Sequence, residues 1–352
     1  MIEGLGYVFE TDALFNTHCH LRERQQVMAL VSLALVGGAD HVLYQPNTEV
    51  GLKTAREVLE YHESAQVKVD GSDILGLLPT VLINEETMFE TIDECVENNI
   101  FDGKIYPLDR TTKSHNGSRY YQRLLPLVKH CGERGMRVHV HPEHPWMVFD
   151  NRDAEFSFLP IMDMFLNDTG AKLFWEHGSD ARCIPFWKEM AESGRFFVGL
   201  TAHHLAADED STFGDSRATC KPPIKTRRDR LDFVRLVSED HPWVIAGLDD
   251  APHDKSKKQV ATGRCACGAY TAPFGLQLYA HALDHLLHQL GGEEIFRNFT
   301  SRNARRIFGY PQVSRKVRLA RKPYRIPQIY QVGDWTVEPF WAGQEILYSL
   351  VR

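Results

Sequence analysis

No uninterrupted apolar run in this chain approaches the roughly 20 residues of a membrane span. The N-terminus also lacks a basic segment followed by an apolar stretch. A membrane anchor and a secretory signal are therefore not expected, and the expected location is cytoplasmic. Nor is there an excess of basic charge: 40 Lys and Arg against 47 Asp and Glu, interspersed over 352 residues, leave a net charge of −7. That balance argues against nucleic acid or an anionic membrane surface as partner. The seven cysteines, at 19, 95, 131, 183, 220, 265 and 267, are odd in number and follow no framework spacing. Reduced thiols are expected in a chain large enough to build its own core. Cys265 and Cys267 have no second pair beside them, so they read as an ordinary loop rather than a zinc site. Internal repeats, low-complexity segments and a Gly-rich phosphate turn after the first strand are all lacking. The last absence disfavours an open doubly wound sheet.

What is present is alternation. Eight short β-prone runs, 13–20, 41–45, 74–81, 103–106, 137–141, 172–177, 196–201 and 243–249, are separated by segments with apolar residues at three- and four-residue steps, such as AREVLEYHESA and RRDRLDFVRLVSED. Several of these segments end in Gly or Asn, as helix C-termini do. Eight strand–helix units predict a parallel (β/α)8 TIM-type barrel, read as one unit over 1–352. Two long helices, 275–290 and 293–308, are expected after it, and residues 310–352 form a C-terminal extension packed on the barrel.

The chemically able side chains fall where the strands end, which in such a barrel is the catalytic face. His18 and His20 share one face of a strand and can grip a cation from one side. Lys104 in GKIYP, His141 in VHVHPEHP, His177 in LFWEHG and Asp249 in IAGLDDAPH stand in later runs. Each alone reads as a packed or surface residue; together, in this order, they predict a hydrolytic metal centre. Lys104 is the odd member, because an ammonium ligates nothing and is costly to bury. It is either a rim lysine paired with a carboxylate or a lysine of lowered pKa that takes up carbon dioxide as a carbamate.

The motifs HCHLRE, QPNT, KIYP followed by TT, VHPE, WEHG, LTAHHL, CKP, GLDDAPH and CGAYTAP resemble those of the dihydroorotases, specifically the shorter, barrel-only class of the amidohydrolase superfamily. The resemblance runs in order from about residue 14 into the C-terminal tail. It implies two zinc ions per chain: His18, His20 and Asp249 on one, His141 and His177 on the other, bridged by N6-carboxylated Lys104. His139 shares a face with His141 and is the alternative ligand. The resemblance further implies substrate contacts from Arg22, Asn47 and His253 and from the backbone at Lys221, Cys267 and Gly268. A mobile loop would close through Thr111 and Thr112. Taken from the residues alone, Arg22 suits a bidentate carboxylate clamp or a rim salt bridge, Asn47 a turn, and His253 a surface loop.

The implied reaction is reversible hydrolysis of L-dihydroorotate to N-carbamoyl-L-aspartate in pyrimidine synthesis, with Asp249 moving the proton and a homodimer possible. Departures from the family pattern are Glu23, Gln45, Pro142 and Asp250, the last adding a carboxylate beside Asp249. Rival readings are another cyclic amidohydrolase, such as a dihydropyrimidinase or allantoinase, and an inactive homologue acting as a partner subunit. The former usually carry a small β-sandwich built from both termini, for which the 17 residues before His18 look too few.

Overall fold

The computed structural model describes residues 7–65, 68–69, 73–74, 76–146, 151–312 and 315–351. The eight barrel strands are Leu14–Cys19, Ala39–Tyr44, Gly76–Leu82, Asp102–Ile105, Arg137–Val140, Leu173–Trp175, Phe196–Leu200 and Val244–Ala246. They pair in parallel in chain order, the outcome of successive helical crossovers. The crossover helices end within a few residues of the apolar periodicity. Three of them, Leu125–Glu133, Leu159–Asp168 and Ile184–Ala191, begin with proline in the first turn, where its missing N–H costs nothing. The expected (β/α)8 TIM-type fold is the one observed. The expected third strand is shifted, for Asp73–Ile74 pairs instead with Lys68–Val69 and the barrel strand starts at Gly76.

The ring closes irregularly. No continuous ladder joins the eighth strand to the first among the described residues. Single bonds span the seam: the Thr17 hydroxyl donates to Ala246 O (2.9 Å), Leu248 N–H to Asn16 Oδ1 (2.8 Å), Asp249 N–H to His18 O (2.9 Å) and His20 N–H to Asp250 O (2.8 Å). The first strand is also out of regular register with the second, at Leu14/Phe15 and Asn16/Cys19. Below the seam, Phe15, Leu43, Leu78, Phe174, Phe197 and Ile245, one from each of six barrel strands, form an apolar plug with Ala304 and Phe308.

Two expectations about the termini need correction. The long helices are interrupted: the first stops at Ala282, where Leu283 leaves helical geometry (φ −105°, ψ 19°), and the second contains a π-helical turn, Asn298–Arg302. A single π-turn or one residue outside helical geometry is too short an interruption to break visibly an apolar pattern as long as 275–290 or 293–308. Second, the N-terminus is long enough to supply a strand. Val8–Asp12 runs antiparallel to Lys316–Ala320, which also pairs with Ser349–Val351, giving a small sheet built from both ends of the chain. The buried Asp12 carboxylate holds that sheet to the terminal helices by accepting from Arg302 (2.7 Å) and pairing with Lys316.

Phe308 reaches the plug from outside the sheet, stacking near Phe15 and Phe174. Phe308→Ala should cost about 3–5 kcal/mol, the range for a buried aromatic truncation, read as a lowered urea midpoint at unchanged m-value.

Candidate active site

The first strand delivers His18 and His20 to the mouth of the barrel, and the turn after the eighth brings Asp249 against both. Asp249 Oδ1 lies 3.2 Å from His18 Nε2 and 3.3 Å from His20 Nε2. Ligand atoms of His18, His177 and Asp249 all lie within 4.8 Å of one another. The His177 ring stands 5.1 Å from that of His18 and 4.5 Å from that of His141. The backbone is bent to achieve this: Arg22 (φ 60°), His177 (φ 38°) and Asp249 (φ 49°) adopt left-handed conformations. Strain of that kind persists where surrounding contacts over-determine it, as at functional sites.

The donor set suits a metal. Lys104 Nζ, His177 Nδ1 and His20 Nδ1 are buried without a hydrogen-bond partner, which is costly unless something not made of protein meets the cluster. Burial drives His20 down to about 3 and His177 well below the usual imidazole range, so both rings keep lone pairs to give. Burial likewise lowers the Lys104 ammonium to about 8, against the opposing pull of Glu176 and Asp249. For Asp249 burial works upward, but the neighbouring His18 and His20 imidazoles hold it well below the carboxylate range.

Two carboxylates orient these histidines. Glu176 Oε2 is 2.8 Å from His18 Nδ1, and Glu143 Oε2 is 2.7 Å from His141 Nε2. An N–H pointed at a carboxylate fixes the tautomer and leaves the other ring nitrogen free to ligate. His139, the alternative ligand, is fully engaged elsewhere, with Nδ1 2.5 Å from Glu176 Oε1 and Nε2 2.9 Å from Asp102 Oδ1. Its ring lies on Phe174 (4.3 Å), just above the plug. Asp250 also turns away from the histidines, since its Oδ1 accepts from the Thr271 N–H and hydroxyl, and burial raises its carboxyl to about 7.

The same pocket has further lining. Arg22, Asn47, Lys221, Cys267 and Gly268 also line it, as do Thr111 and Thr112 from the loop after the fourth strand, with Tyr106 and Ala251. A Cβ at Gly268 would lie 2.2 Å from Ala251 O, so only glycine lets these backbones meet. His253 stands one layer back. Its Nε2 is 3.0 Å from Arg22 Nη2 and 2.9 Å from Cys267 O; one ring nitrogen accepts from the first or donates to the second, not both. The Thr112 hydroxyl donates to Cys267 O (3.2 Å) and accepts from Cys267 N–H (3.1 Å), while Lys113 pairs with Glu23 and Glu49. The loop 107–118 is thus tied to Cys267 on one side and to Glu23 and Glu49 on the other.

The sequence pattern does not single out Glu176, Glu143 or Tyr106. A signal exists for the two acids, since each lies within two residues of an expected ligand, in WEHG and VHPE.

The structure belongs to the class of (β/α)8 barrels that carry a histidine-, lysine- and carboxylate-lined pocket at the mouth. Within that class the chain is similar to dihydroorotases. It is 24% identical over 344 residues to the dihydroorotase of Coxiella burnetii, covering 95% of each chain. The Saccharomyces cerevisiae dihydroorotase, solved in complex with 5-fluoroorotic acid, superposes with a TM-score of 0.89 at 23% identity, over 98% of this chain and 99% of that one. A D-hydantoinase is more distant, with a TM-score of 0.76 and 13% identity over 98% of this chain and 83% of that one. No protein-family model matches the chain. These relatives indicate a cyclic amidohydrolase.

Glu176→Gln removes the charge that fixes His18 while keeping the side chain's size. Metal affinity should fall about 10–100-fold, measured by chelator competition against the native protein.

Proposed function

We propose that the chain is a zinc-dependent dihydroorotase, catalysing reversible hydrolysis of L-dihydroorotate to N-carbamoyl-L-aspartate. The observation that carries this reading is that one pocket is lined by two kinds of group: His18, His20, Lys104, His141, His177 and Asp249 together with Arg22, Asn47, Lys221, Cys267 and Gly268. One kind suits metal chemistry and the other suits a small anionic ring.

His18, His20 and Asp249 would hold one zinc ion and His141 and His177 a second. Lys104, carboxylated on Nζ with loss of a proton, would join them, a role supported by its unpartnered, buried Nζ. Bound there, the ions would activate water and polarise the ring carbonyl. Asp249 accepts a proton from the attacking water and delivers it to the ring nitrogen as the C–N bond breaks. In the biosynthetic direction the same carboxylate takes that proton back. Arg22, anchored through Nε to Pro252 O (2.8 Å) and with Nη2 3.0 Å from His253 Nε2, offers its remaining guanidinium N–H groups to the substrate carboxylate, and the buried, unpaired Oδ1 of Asn47 gives the ring a partner. Thr111 and Thr112 close above and exclude water. The seven free thiols support a reducing compartment such as the cytoplasm.

A dihydropyrimidinase-like activity is separated by the carboxylate. Dihydrouracil keeps the ring but leaves Arg22 unpaired, so it should be processed at least about a hundredfold less efficiently than dihydroorotate. Arg22→Met should remove most of that preference by harming dihydroorotate. Equal efficiency of the native protein on the two compounds would refute the clamp. Lys104→Ala should lose metal and activity together, with partial rescue by a small carboxylic acid; native activity in that variant would exclude the carbamate.

A further inference from the structure

Lys258 ends a short helix, Lys255–Lys258, beyond the eighth strand, and its side chain is almost wholly buried. Its Nζ donates to three backbone carbonyls: Thr219 (3.0 Å), Ala266 (3.0 Å) and Gly268 (2.9 Å). An ammonium has three N–H donors, so the match is complete. Among the described residues no carboxylate lies within ion-pair distance of it. A buried ammonium without a counter-ion is expensive, and a solvent-facing lysine would hold a surface loop as well at less cost. What distinguishes this position is which carbonyls it gathers. Thr219 lies two residues before Lys221, while Ala266 and Gly268 flank Cys267; Lys221, Cys267 and Gly268 all line the pocket. Gly268 N–H also donates to Thr219 O (2.8 Å), so the two segments meet at the same oxygen that Lys258 holds. Cys267 is in turn the seat of Thr112 from the closing loop.

We propose that Lys258 is a positioning residue for substrate: its ammonium fixes the spacing of the 219–221 and 266–268 backbones that frame the ring and sets the seat on which the loop closes. The proposal rests on the dihydroorotase reading for the identity of the substrate. It rests on the geometry alone for the effect on the backbone.

The test uses the full-length, metal-loaded protein. Lys258→Met keeps the length of the side chain and removes the donors. It should lower kcat/KM for dihydroorotate roughly a hundredfold, the scale of an ångström-sized misplacement, with most of the loss in KM and with zinc content unchanged. Lys258→Ala, which leaves space for a short amine, should regain part of the lost KM on adding n-propylammonium, a rescue that general destabilisation would not give. Amide hydrogen exchange at Cys267 and Gly268 should quicken in both variants while the barrel strands keep native protection. Native KM together with native exchange in folded Lys258→Met overturns the proposal, as does a loss confined to metal content. Where Lys258→Met does not fold, Lys258→Arg carries the comparison, because a planar guanidinium cannot aim three donors at one convergent set; native KM and exchange there overturn it. If the native protein does not turn over dihydroorotate, the substrate reading falls, and exchange at Cys267 and Gly268 still decides the role of Lys258.

Discussion

The seam between the first and eighth strands is the constraint on which the rest depends. A regular parallel ladder there would point alternate residues of the first strand into and out of the barrel and keep the eighth flush beside it. Instead isolated bonds close the ring, one of them from Asp249 N–H to His18 O. The pleat already sets His18 and His20 on one face, and the open seam leaves Asp249 its left-handed turn, which brings one carboxylate against both. The residues that complete the barrel are therefore the same ones that build the pocket.

Buried charge has to be arranged around that seam. Glu176, sitting between His18 and His139, and Asp102, pairing with His139 and with Arg137 at 2.6 Å, run a line of alternating charge from the mouth of the barrel down to its apolar plug. Burial pushes both acids upward, yet Arg137 and His139 hold Asp102, and His18, Lys104 and His139 hold Glu176, below the ordinary carboxylate range. Such a line is costly in a low dielectric unless every member is satisfied. It ends upward in the unpartnered buried atoms of His20, Lys104 and His177. The floor of the barrel thus shapes the mouth.

The barrel was legible in the sequence because eight apolar runs alternate with helical periodicity, and period is what packing against a sheet imposes. The candidate ligands were legible because they fall where those runs end. What stayed hidden has a physical reason in each case. Val8–Asp12 pairs with a strand more than 300 residues away, a contact with no local signature. The interruptions at Leu283 and Asn298–Arg302 span one turn or less, too little to break the apolar periodicity of the segments around them. Asp250 looked like a second acid for the site, yet Thr271, 21 residues on, claims it. His139 and His141 share a face by spacing alone, and only their carboxylate partners tell them apart: Glu176 and Asp102 hold both nitrogens of His139, whereas Glu143, two residues on, holds one nitrogen of His141.

Zinc titration of chelated protein, following turnover of L-dihydroorotate, tests the central claim most directly. If the unpaired cluster at the seam exists to hold two ions, activity should be absent without metal and rise to a plateau at about two zinc ions per chain. Full activity in the metal-free protein, or a plateau reached with a single ion, would contradict it.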